Sequence, residues 1–439
     1  MSSTHAAKSV QQPRPTPSPS AEPSPSTQPS PAAEPSTPAP RTSLPLGALL
    51  ALATAVFLTS LTETLPAGLL PAMSADLGVS ESATGQTVTV YAVGTALTAI
   101  PLTAATAAWR RKHLLLTSMA GFAAANTVTA LSTDYTLTMG ARFVAGVAAG
   151  LAWALLAGYA RRMAPVHLQG KALAIAMAGI PVALSLGVPA GTFLGKATDW
   201  QTAFLAMTAL TLGLLGWIAA VVPDFPGRPR RGNTPARDTQ PKAPSLLSAL
   251  RVPGVAPVLA VTLVFVLAHT ILYTFIATFL TELGMGDSTD LVLLVFGGAS
   301  LLSIWIVGAH IHRRLRTLMI GATLLIAAAA TLLALLSGST ATVYAAVVLW
   351  GLGWGGAPTL LQTAAGDAGG AHADAAQAML VTLWNAAMAG GGVAGGILLG
   401  ALGPTSFPWS VLALLVPVLL LVLAARTHGF PKRRTESAG

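Results

Sequence analysis

Apolar runs of about 20 residues, separated by short charged or proline-bearing breaks, recur from residue 45 to residue 425. At ~1.5 Å per residue, a helix of that length crosses the ~30 Å hydrocarbon core of a bilayer. The pattern predicts twelve spans, near residues 45–70, 83–105, 113–132, 136–159, 171–195, 203–222, 255–280, 290–309, 316–337, 341–362, 378–401 and 407–425. The first 43 residues break it: QQPRPTPSPSAEPSPSTQPSPAAEPSTPAP is Pro/Ser-rich and without apolar periodicity, the signature of a disordered tail. The first apolar run follows Arg41, too late for a secretory signal, and reads as the first span. A basic, Pro/Gly-rich connection, PDFPGRPRRGNTPARDTQPKAPS, follows the sixth run. The expected organisation is a tail (1–43), a six-helix bundle (44–222), a cytoplasmic linker (223–254), a second six-helix bundle (255–425) and a basic tail (426–439).

Composition agrees. Of 439 residues, 53% are hydrophobic and only 9% charged, against about 25% charged in soluble proteins. The fold class is an all-α integral membrane protein. With no cysteine, disulfides, thiolate chemistry and Cys-based metal sites are excluded. Charge sets an orientation. With both termini cytoplasmic, every Lys and Arg except Arg142 and Lys196 falls in a tail or a cytoplasmic loop, while Asp76, Glu81, Asp134, Asp199, Glu282, Asp287 and Asp290 fall outside. The pI of 10.4 therefore reflects topology, and no nucleic-acid partner is expected.

The two halves repeat. SLGVPAGTFLG (Ser185–Gly195) aligns without gaps on GGGVAGGILLG (Gly390–Gly400) at an offset of 205, and the same offset carries Gly146 and Gly150 onto Gly351 and Gly355. Parallel six-helix repeats are a transporter architecture.

Three stretches resemble the major facilitator superfamily, in particular its twelve-span drug/proton antiporter branch. TETLPAGLLPAMSADLGVSESATGQTVTVYAVG resembles the first-helix and second-helix signature of efflux members. ARFVAGVAAG (Ala141–Gly150) resembles the fourth-helix motif, an arginine followed by a glycine face. GIPVALSLGVPAGTFLG resembles the antiporter motif of the fifth helix, loosened here to Gly179, Gly187, Pro189 and Gly191. The resemblance implies two pseudo-symmetric bundles around a central cavity and proton-coupled export of small amphipathic or drug-like molecules, with sugar or metabolite efflux as the alternative. It also implies a bacterial cell-membrane protein acting as a monomer, with no cofactor. A non-transporting receptor or scaffold is the remote alternative. One departure stands out: the loop after the second span reads PLTAATAAWRRKHLL, without the family's acidic residue and glycines.

Glu63 and Arg142 are the only formal charges away from the ends of the predicted spans, ~12 and ~10 Å from the outer ends at 1.5 Å per residue. A charge there costs roughly 2.5–3.5 kcal/mol on insertion scales, so it marks function or a specific pair. Glu63 reads as a proton site tuned by Arg142, as half of a static ion pair, or as a contact for a cationic cargo. His269, near the middle of the seventh span with Tyr273 one turn on, reads as a proton group or a cargo contact. Gln86, Tyr91, Asn126, Gln362 and Asn385 are candidate cavity polar groups; Trp153 and Trp354, beside Trp350 and Trp384, are candidate stacking surfaces. GLGWGG (Gly351–Gly356) mimics a nucleotide-binding glycine pattern, but no strand precedes it. HIHRR (His310–Arg314) is a basic loop without carboxylates, so no metal site is expected. Nor does a Walker motif or catalytic triad occur, and the chain reads as no enzyme.

Overall fold

The computed structural model describes residues 44–106, 108–227 and 249–430. The N-terminal tail, residues 228–248 of the linker and the end of the C-terminal tail lie outside the described residues. All regular structure among the described residues is helical. Among the described residues, eleven helices are long and apolar enough to cross a membrane.

The first predicted span is a helix in two pieces, α1 (Leu46–Thr64) and α2 (Pro66–Leu77). Pro66 has no N–H to give, which breaks the ladder at Leu65 and restarts it with proline in the first turn. Pro71 was expected to end this span, yet α2 runs on to Leu77. An interior proline removes one backbone bond and bends a buried helix without ending it. The stop is Gly78, at φ +64°, a left-handed conformation that suits glycine. Next come α3 (Glu81–Ala105), α4 (Arg111–Leu131) and α5 (Tyr135–Met163). The fifth predicted span is composite: α6 (Gln169–Met177), α7 (Gly179–Val182), a π turn (Ala183–Gly187) and α8 (Val188–Ala197). It is followed by α9 (Trp200–Val221).

The second half opens with α10 (Val255–Thr274) and α11 (Ile276–Glu282). In α12 (Thr289–Leu335) two predicted spans run end to end, broken at Arg314, whose φ of −133° and ψ of 28° are not helical. Then follow α13 (Thr340–Trp354), α14 (Ala357–Gly369), α15 (Ala373–Leu402) and α16 (Ser406–Ala424). Helix α3 is not among the eleven apolar helices. It carries Thr84, Gln86, Thr87, Thr89 and Thr95, and much of that polarity is spent on neighbouring helices.

The repeat read from the sequence holds at the level of atoms. Gly146 and Gly150 let α5 lie against the backbone of Tyr91 and Thr95 in α3. Thr95 then donates to the carbonyls of Tyr91 and Gly146, each at 3.1 Å. At the same offset, Gly351 and Gly355 let the α13 segment lie against Phe296 and Ser300 in α12. Ser300 donates to Phe296 O at 2.8 Å and to Gly351 O at 3.3 Å. Small residues allow the approach, and the hydroxyl then finds a carbonyl across the interface.

Glycines also seat the fifth predicted span on the first. Gly179 faces Ala53 and Phe57, Gly187 faces Phe57 and Leu61, Gly191 faces Leu65, and Gly195 faces Leu69. Eight residues separate Gly179 from Gly187, one more than the roughly seven in two helical turns. The π turn between them absorbs the extra residue and keeps all four glycines on one face.

Hydrogen bonds join the halves at several places. Along α3 and α15, Ser82 donates to Gly396 O at 2.8 Å, Gln86 to Gly392 O at 3.1 Å and Thr89 to Ala389 O at 3.4 Å. Between the π turn and α12, Ser185 donates to Gly297 O at 2.9 Å.

Substituting Gly146→Val or Gly351→Val forces a side chain into backbone. Each should lower stability by about 1–3 kcal/mol in thermal unfolding of the detergent-solubilised protein. Gly140→Ala, with open space around it, should change it by no more than about 0.5 kcal/mol.

Candidate functional site

A cavity of about 120 Å³ lies between the halves, enclosed by α1, α2, α3 and the fifth-span helices on one side and α10, α12, α13, α14 and α15 on the other. Its polar wall comes from the first half: Ser60, Glu63 and Thr64. Its aromatic wall comes from the second: His269, Tyr273, Phe296, Trp354 and Trp384.

Glu63 is half-buried on the cavity surface, and no protein group among the described residues pairs with its carboxylate. It lies within the electrostatic reach of Arg142 and Tyr91. The direct ion pair considered from the sequence is not formed. Arg142 is fully buried behind the wall. Its guanidinium carbon sits 4.9 Å from the Tyr91 ring centre and 5.7 Å from that of Phe204, and Nε donates to Thr87 O at 3.4 Å. Among the described residues both terminal nitrogens lack an acceptor, the Thr87 hydroxyl lacks a partner and the amide oxygen of Asn126 lacks a donor. Tyr91 is spent on structure, its hydroxyl donating to Thr59 O at 3.0 Å.

His269 is the centre of an aromatic stack. Trp354 lies parallel to it, with ring centres 3.4 Å apart, and Trp350 Nε1 donates to its Nδ1 at 3.1 Å. Tyr273 stacks at 5.2 Å, and its buried hydroxyl has no hydrogen-bond partner in good geometry. Trp384 leans on Trp354 at 5.6 Å.

Of the residues singled out from the sequence, Glu63, His269, Tyr273, Trp354 and Trp384 meet in this cavity. Arg142, Tyr91 and Asn126 sit directly behind Glu63, Asn126 donating to Thr62 at 3.4 Å. The others lie elsewhere. Gln86 belongs to the α3–α15 seam, and Asn385 donates back to Val381 O within its own helix. Trp153 packs on the core, and Gln362 is exposed with its carbonyl accepting from Gln377. Gly179, Gly187, Gly191 and the buried Pro189 hold the fifth-span helices against α1 and α2. Thr64 and Phe296 were missed. The repeat could have found both, because the 205 offset joins Thr64 to His269 and Tyr91 to Phe296.

One end of the space between the halves is held closed by charge, where the last turn of α8 meets the start of α12. Lys196 donates to Gly286 O at 3.0 Å and Asp287 O at 2.7 Å, and pairs with Asp290 at 3.0 Å. Glu81 accepts from Thr278 beside it. At the opposite end Asp224 pairs with Arg110 and accepts from the backbone N–H of Lys112 at 3.3 Å. An acid from after the sixth span thus meets the basic loop that lacks one of its own. Despite the opposing cost of desolvation, those bonds hold Asp224 below the usual carboxylate range.

The cysteine-free chain makes the closed end testable by labelling. In Ser60→Cys, in the cavity wall, the added change Lys196→Gln should speed maleimide labelling about two- to fivefold, the effect expected of a part-exposed ion pair.

Comparison with known proteins identifies a family. The model described as Major Facilitator Superfamily matches residues 52–389. The chain is 29% identical to the transcription regulatory protein OpdE of Pseudomonas aeruginosa over 392 residues, 88% of this chain and 96% of that protein. It is 28% identical to the purine ribonucleoside efflux pump NepI of Salmonella typhimurium over 373 residues, 84% and 91% of the two chains.

Proposed function

We propose, for a chain that belongs to the Major Facilitator Superfamily and is accordingly a multi-pass membrane transporter and not an enzyme, proton-coupled export of a small amphipathic molecule carrying a flat ring. The chain crosses a bacterial cell membrane twelve times as two six-helix bundles, α3 being the twelfth span, with both termini cytoplasmic. The charge pattern supports that orientation, which makes the Lys196 end the outside and the state described here closed outward.

The observation that carries the reading is Glu63: a carboxylate without a partner among the described residues, in the wall of the cavity, with a buried guanidinium behind it whose terminal nitrogens are unsatisfied. Such a pair is a two-position device. When the carboxylate is ionised, Arg142 attracts it; when it is protonated, that attraction is gone and the carboxyl is free to face the cargo. Export coupled to proton entry needs only that cargo and proton compete at Glu63 and that each favours a different closed end. His269 serves the cargo side of this cycle, since its Nδ1 is already engaged by Trp350.

The aromatic wall favours a flat, ring-bearing cargo over a sugar. Nucleosides, named for the Salmonella relatives, combine such a ring with polar edges and are the first class to test. Drug-like aromatics come second. The Pseudomonas relative's name favours a second reading, a regulatory membrane protein, which a positive transport assay would dispose of.

The experiment is proton release on adding inosine, or a planar cationic dye, to solubilised wild type and Glu63→Gln. Release is expected from wild type and should be abolished in the variant while binding persists. Equal release from both would remove Glu63 from the coupling.

A further inference from the structure

His269 is held by its surroundings in one chemical form. Trp354 covers one face of the ring with planes only 3° apart, and Tyr273 and Phe296 stack at 5.2 and 6.0 Å. The Trp350 indole nitrogen, 3.1 Å from Nδ1, can only donate. Nδ1 must therefore offer its lone pair, and the neutral ring carries its hydrogen on Nε2. No protein group among the described residues accepts from Nε2, and that atom is not sealed away from the cavity that the residue lines.

We infer that Trp350 fixes His269 as an Nε2–H donor aimed at the cargo, so that the exported molecule must present an acceptor, an exocyclic carbonyl, at the edge of its flat ring. This rests on the preceding reading that the cargo is a flat heteroaromatic. An imidazole free to choose its tautomer would accept from an N–H as readily as it donates to a carbonyl. The indole removes that choice, and the site then reads acceptors alone. Trp350 is 1% exposed and not part of the cavity wall, so it acts as a positioning residue, while His269 determines specificity. The arrangement is one-sided: the 205 offset places Thr64 and Ala145 at the corresponding positions of the first half.

The test uses full-length protein in lipid nanodiscs and two readouts. Nitrogen-15 shifts of labelled histidine, with the His269 signal identified by its loss in His269→Leu, report the tautomer directly. Wild type should show a single form protonated at Nε2, and Trp350→Phe a mixture of both. The second readout is binding of inosine against purine riboside, its analogue without the 6-carbonyl. Wild type should favour inosine about tenfold, the scale of one hydrogen bond whose loss leaves a donor unpaired. That preference should fall to about twofold or less in Trp350→Phe and in His269→Leu, and survive in part in His269→Gln, whose amide N–H reaches the Nε2 position. An Nδ1-protonated ring in wild type overturns the inference, as does a Trp350→Phe variant that weakens both ligands equally. If neither nucleoside binds, the cargo class proposed above fails, and the nitrogen shifts then decide the histidine's state alone.

Discussion

In a bilayer no water is on hand to satisfy a stray polar group, so helices gain most by bringing backbones close enough for a hydroxyl to cross between them. Everything else in this molecule depends on that approach. Thr95 and Ser300 reach the carbonyls of Gly146 and Gly351 only because the glycines on α5 and α13 have no side chain to hold the helices apart. The same device seats the fifth span on the first, with a π turn correcting the register. Between the halves, hydrogen bonds come from Ser82, Gln86, Thr89 and Ser185, and Lys196 adds a charged tie.

The cavity inherits its asymmetry from two copies of one plan. The positions of Glu63, Tyr91 and Arg142 correspond to Ala268, Phe296 and Val347 in the second half. Charge was kept or acquired on one side, and aromatic surface on the other. Burying Arg142 is costly, and the rings of Tyr91 and Phe204 offset part of that cost through their negative faces. What remains unsatisfied is a standing attraction toward any carboxylate that can approach.

Much of this was legible before any coordinates. Hydropathy located the helices, and a single offset predicted which glycines correspond; the contacts at Tyr91/Gly146 and Phe296/Gly351 follow that offset residue for residue. Glu63 and His269 stood out because ionisable groups are expensive in apolar runs. The direction of side chains was less legible. Gln86, Asn385 and Gln362 carry the same polar groups whether they face a cavity, a seam or their own helix, and spacing alone does not separate these cases. Proline was misleading at Pro71, where tertiary packing carried the helix past a residue that would stop it in water. The indole bond to His269 had no sequence signal, because Trp350 and His269 are 81 residues apart.

Placing the ionisable pair in one half and the stacked rings in the other has a consequence for how such a protein diversifies. Substitutions in α10, α13 and α15 reshape the aromatic wall without touching Glu63, Tyr91 or Arg142. On the proposed reading, recognition can thus drift from one cargo to another while Glu63 and Arg142 stay unchanged. A duplicated scaffold whose copies have taken separate duties is open to new cargo by changes on one side alone.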